Sequence, residues 1–163
     1  MPAQLGWRLV ALIYDIWPIL AIWLAASALM LLLRGGEPVV PGSGAALFEV
    51  VWLWTVTGAY LVLSWSRGGA TLGMRPWRLR VVASSGQSAR WPALAARYAW
   101  STAPALIALE LAALAPWNDP LMAFWLAGAV ALMGPAWSLF NDERAALYDQ
   151  LSGTRFVRLS PAV

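Results

Sequence analysis

Four stretches of this chain run for 20 residues or more almost without charge: residues 9–33, 45–65, 98–117 and 121–140. Each is long enough to cross about 30 Å of hydrocarbon, which takes roughly 17–25 apolar residues in a helix. The sequence therefore predicts an all-α transmembrane fold, a four-helix polytopic membrane protein forming one domain over residues 1–163. Composition agrees, since only 12% of the residues are charged, against about a quarter in a soluble domain. The first stretch has a second reading as a cleaved signal peptide, because Arg8 precedes it and Ala26-Ser27-Ala28 resembles a small-residue cleavage site. Asp15 within it and the apolar run through Leu33 favour a retained span.

Orientation follows from the arginines, which supply all 11 basic residues. Short loops rich in basic residues stay cytoplasmic. Arg8 precedes span one; Arg67, Arg75, Arg78, Arg80, Arg90 and Arg97 lie between spans two and three; Arg144, Arg155 and Arg158 follow span four. Only Arg34 falls on the other side. Both termini, the loop 66–97 and the tail 141–163 are thus expected inside. Sorting by topology also removes the nucleic-acid reading that a basic chain invites, since no nucleic-acid motif is present. Trp7, Trp65, Trp100 and Trp137 fall near expected inner ends and Trp117 near an outer one, as amphipathic rings should. Trp17, Trp23 and Trp125 fit no belt and are expected to face lipid or pack between helices.

The connections differ in character. Asn118-Asp119-Pro120 reads as a tight outer turn that makes spans three and four a hairpin, and residues 34–44, with Gly35, Gly36, Pro38, Pro41, Gly42 and Gly44, read as irregular loop. On the inner side, residues 78–82 alternate charged and apolar as a half-buried strand does, and Ser84-Ser85-Gly86-Gln87 is turn-like. After span four, Asn141 is expected to cap a short helix with Asp142 and Glu143 in its first turn, ending near Gly153. Residues 154–159 read as a second strand, and the two strands are expected to join in a small cytoplasmic sheet.

Three carboxylates lie within the spans, where an ionisable group costs at least about 2.5–3.5 kcal/mol and faces protein or water. Asp15 follows Arg8 by two helical turns on one face, roughly 10 Å further in. Pro18 cannot donate to the carbonyl of Tyr14, so a cation or proton site beside Asp15 is one reading. The other is that Asp15 locks helix packing through an arginine of another segment. Glu49 lies one turn inside its span and is expected to reach water. Glu110 is deeper, roughly 9–10 Å from Trp117.

Arg8-Leu9-Val10-Ala11 followed by Asp15, Thr71-Leu72-Gly73 with Arg75, Leu79-Arg80-Val81-Val82, Ala96-Arg97-Tyr98, and Asp149 with Leu151, Gly153 and Thr154 together resemble the RDD family of bacterial membrane proteins. The family is named for one arginine and two aspartates, which fall here on Arg8, Asp15 and Asp149. Departures are Met74, where the family often has lysine, Arg78, where it often has glycine, and Tyr148, where it often has histidine. Helical spacing puts Asp149 on a side with Asp142, Ala145 and Ala146, which reads as solvated. The resemblance promotes it instead to a partner for an inner-loop arginine or for Arg8 and Asp15; a local alternative is to hold the turn at Ser152-Gly153-Thr154.

The resemblance implies an inner-membrane location and a transport role, including monovalent cation and proton exchange in some members. Transport would run through a cluster of Arg8, Asp15, Asp149 and Glu110, inside an oligomer that encloses a path. Small residues at four-residue spacing, such as Ala21 and Ala25, Ala108 and Ala112, or Ala127 and Ala131, offer close-packing faces for a homo-oligomer. The alternative is a non-transporting scaffold or accessory subunit whose basic loop, with Arg75, Arg78, Arg80 and Arg90, meets anionic lipid headgroups or a partner. With no histidine or cysteine, no nucleophile beside a base, no metal-ligand cluster and no phosphate-cradling loop, neither an enzyme nor a cofactor is expected.

Overall fold

A computed structural model describes residues 4–113, 119–141 and 145–159. Helix α1 spans Leu5–Leu33, α2 Gly44–Gly68, α3 Trp91–Ala113 and α4 Pro120–Ala136, the last running into a 3-10 turn at Trp137–Leu139. A six-residue helix α5, Leu147–Ser152, follows, and strands β1 (Leu79–Ala83) and β2 (Thr154–Arg158) complete the chain. Successive long helices pack on one another, with α3 against α4 the most extensive helix contact.

Among the described residues three helices are long and apolar enough to cross a membrane: Leu5–Leu33, Gly44–Gly68 and Pro120–Leu139. The third expected span begins seven residues early, at Trp91, so the described part of α3 includes Arg97 in its interior. Its far end at Trp117 lies outside the described residues, as does Asn118 of the expected outer turn. Asp119 caps α4 by accepting from the Leu121 N–H at 2.9 Å, with Pro120 at the first helical position. At 29 residues, α1 is about 43 Å long and outreaches the hydrocarbon. Leu12, Leu24 and Leu32 of α1, Phe48 and Val51 of α2, and Phe124 and Leu132 of α4 all point outward. Such continuous apolar surface is at home in lipid and a liability in water. Of the unplaced tryptophans, Trp17 and Trp125 are exposed, while Trp23 donates to Thr57 of α2 at 2.8 Å.

The packed core lies at one end of the bundle. There Ala11 of α1, Val62 and Trp65 of α2, and Leu94 and Tyr98 of α3 meet Ala70, Met74, Leu79 and Val81 of the connecting segment. The two expected strands pair antiparallel, from Leu79 opposite Arg158 to Ala83 opposite Thr154. The sheet forms because its apolar face has this core to cover: Leu79 and Val81 are buried while Arg80 between them is exposed. A bond from the Val81 N–H to the Gly69 carbonyl at 2.7 Å ties β1 to the end of α2.

One expected element is different. The Asn141 side chain accepts from the Ala145 N–H at 2.9 Å and donates to the carbonyls of Trp137 and Ala145. Ala145 and Ala146 are not helical; the described helix α5 begins at Leu147, and it ends as expected at Gly153, whose φ is 63°. Asp142, Glu143 and Arg144 lie outside the described residues.

Arg78, just before β1, has a φ of 55°, the sole positive value among described non-glycine residues. The left-handed region costs an L-residue about 1–2 kcal/mol, whereas glycine enters it freely. Arg78→Gly should therefore stabilise the protein by about 1 kcal/mol, seen as a rise of roughly 2–4 °C in the melting temperature of the detergent-purified protein.

Candidate functional site

On α1 the buried residues are Arg8, Ala11, Asp15 and Ala26. The first three are spaced by three and four and share one face. A stripe that would be apolar in a soluble helix thus carries two charges, and each has its own partners.

Arg8 donates to Asp149 Oδ2 at 2.7 Å across 141 residues of chain. Arg97 reaches the other oxygen of the same carboxylate and also donates to Thr154 Oγ1 at 2.8 Å. The Ala146 N–H completes the set at 3.0 Å from Asp149 Oδ2. Asp149 is 0% exposed, Arg97 2% and Arg8 7%. Burial of Arg97 is helped by aromatic rings, with its guanidinium carbon 4.6 Å from the ring centre of Phe156, 4.9 Å from Tyr148 and 5.5 Å from Trp65. A planar, weakly hydrated guanidinium accepts such a box where an ammonium would lose more. Burial also pushes the Tyr148 phenol above its ordinary value, so it stays neutral beside Asp149.

Asp15, 5% exposed, holds the segment after α2. The Thr71 hydroxyl donates to its Oδ2, and the Gly73 N–H to its Oδ1 at 2.9 Å. The Tyr60 hydroxyl donates to Oδ1 at 3.2 Å, and the Leu72 N–H reaches the Tyr60 oxygen at 3.4 Å. Gly73 is required by space: a Cβ there would lie 2.4 Å from the Ala11 carbonyl oxygen and 2.7 Å from the Asp15 carboxyl carbon. Thr71-Leu72-Gly73 is thus a loop that grips a carboxylate, with glycine where the chain lies flat on α1.

The residues singled out in the sequence divide accordingly. Arg8 and Asp149 meet, with Arg97, which the arginine count had assigned to topology alone. The solvated reading of Asp149 is wrong, because a six-residue helix offers too little periodicity to show its buried side. Asp15 does lock packing, through two hydroxyls and a backbone N–H rather than through an arginine. Glu110 stands apart, half-buried on α3 beside an apolar groove of about 310 Å³ between α2 and α3. Glu49 does not simply reach water: it pairs with Arg34 at 2.9 Å, joining the end of α1 to the start of α2. Arg75, Arg78, Arg80 and Arg90 are exposed, as are Arg67, Arg155 and Arg158. Tyr60 is the site residue the sequence did not reveal. Arg97, from the Ala96-Arg97-Tyr98 motif, is the inner-side arginine that meets Asp149, as the resemblance allowed without singling it out.

Among the described residues no group of three histidine, cysteine, aspartate or glutamate side chains is placed to hold a metal. The clusters can do something simpler: they fasten the connecting segment and the tail to the helix bundle. Asp149→Asn should cost about 3–5 kcal/mol by leaving two buried guanidiniums short of their counter-charge. Gly73→Ala should cost about 1–3 kcal/mol through overpacking. Thermal unfolding of the purified variants reads both losses.

No curated protein and no solved structure matches the chain. The model of the RDD family matches residues 2–153. That match takes in Arg8, Asp15 and Asp149 together with the donors Tyr60, Thr71, Gly73, Arg97 and Ala146 that hold the two carboxylates, and the chain belongs to the RDD family.

Proposed function

We propose that this RDD-family membrane protein is a non-transporting, non-enzymatic scaffold or accessory subunit of a bacterial inner membrane. In this reading it has four spans, α3 being the fourth, and both termini are cytoplasmic. The orientation is supported by the exposed arginines gathered at the end that carries the sheet, since basic segments remain inside.

The observation that carries the functional reading is the hydrogen bonding of the two buried aspartates. A cation site needs lone pairs converging on an ion. Here the oxygens of Asp15 accept from Thr71, Gly73 and Tyr60, and those of Asp149 from Arg8, Arg97 and Ala146. Donors point at both carboxylates, and both are used to close the fold. What remains for other molecules is the outer surface of that fold, where Arg75, Arg78, Arg80 and Arg90 are exposed. Each can contribute about 1 kcal/mol near anionic headgroups, and the same guanidiniums suit an acidic partner protein.

Protein reconstituted in liposomes is expected to pass no sodium, potassium or protons down imposed gradients, and crosslinking through the inner loop should recover a reproducible partner. A flux that Asp15→Asn abolishes, in a variant that still melts cooperatively, would overturn the scaffold reading and restore transport.

A further inference from the structure

A cavity of about 750 Å³ opens against β2, α5 and the first turns of α1. Its walls include Arg8, Arg155, Ser84, Gln150, Phe156 and Asp149. That volume lies within the roughly 300–1,000 Å³ of small-molecule sites. We propose that it binds a phosphate-bearing anion, either a phospholipid headgroup or a free phosphate or phosphate ester.

Charge favours an anion. Among the described residues Asp149 is the one acidic group in the wall, and both its oxygens are already engaged by Arg8 and Arg97. Arg155 is exposed, and no carboxylate of the described residues pairs with it. Its guanidinium is placed by the turn after β1: a Cβ on Gly86 would lie 3.2 Å from Arg155 Nη2, so the head rests on bare backbone. Guanidinium donors match phosphate oxygens in pairs, while the Ser84 hydroxyl and the Gln150 amide add neutral donors at the same wall. Phe156 and Val157 give the organic part of the ligand an apolar wall. The site depends on this cavity and not on the scaffold role, so each can fail alone.

Arg155→Ala tests the site and leaves Arg8, Arg97 and Asp149 in place. Arg80→Ala is the control, since Arg80 is exposed on the paired strand and lines a different cavity with Arg67. In lipid-free detergent, inorganic phosphate should raise the melting temperature of the wild type. Arg155→Ala should need roughly ten times more phosphate for the same rise, with Arg80→Ala unchanged. If the source is a lipid, inorganic phosphate does nothing, but nanodiscs of phosphatidylglycerol stabilise the wild type over phosphatidylcholine, and Arg155→Ala loses several-fold more of that difference than Arg80→Ala does. Stabilisation absent in both arms, or equal across wild type and both variants, overturns the proposal.

Discussion

The structure turns on one buried carboxylate. Asp149 lies on a helix of six residues, too short to persist by itself in water, yet it is fully buried between arginines of α1 and α3. Each charge in the triad would be costly if the others were absent, because desolvation of an unpaired ion exceeds anything local packing returns. Docking of the tail is therefore cooperative with the meeting of α1 and α3. Helices that insert first can present Arg8 and Arg97 to water at the membrane surface, and only the arriving Asp149 allows both to be buried.

Asp15 repeats this logic with a different chemistry. Its partners are neutral donors, Thr71 and Gly73 of the segment after α2 and Tyr60 of α2 itself, so the contact is a matter of fit more than of charge. Gly73 brings the backbone against Ala11, and Thr71 and Tyr60 complete the carboxylate shell. The two aspartates thus fasten two different pieces, the segment after α2 and the tail, to the same face of the bundle. Those pieces then pair with each other as β1 and β2. A two-stranded sheet is marginal alone; here it is held at both strands and backed by Leu79, Val81 and Phe156 on the core.

Legibility in the sequence followed the strength of the physical demand. Spans were readable because the bilayer tolerates little but apolar helices, and the strands because their charges alternate over a buried face. Arg97 was not readable, since an arginine near the end of a span satisfies topology whether it points outward or inward. Only a tertiary partner 52 residues away decides. Glu49 misled for the same reason: its local explanation, reaching water, hides its pairing with Arg34. Arg78 shows the converse, a residue whose backbone conformation belongs to glycine and whose side chain gives no hint of it.

The distribution of packing gives the polar clusters a further consequence. Within hydrocarbon there is no hydrophobic drive bringing helices together, because lipid tails are as apolar as leucine. The outer parts of α1, α2 and α4 accordingly expose most of their side chains. Among the described residues α4 rests on α3 by packing, while directional contacts placing the other helices include Trp23 to Thr57 at 2.8 Å, Trp54 to Thr102 at 2.8 Å, Tyr98 to the Trp54 carbonyl at 2.6 Å, and Arg34 to Glu49. Each joins neighbours in the chain, α1 to α2 or α2 to α3. The Asp149 cluster alone among these ties α1 to α3 and to the tail at once. Helix contacts within lipid set pairwise spacing, while the polar end sets which helices belong together.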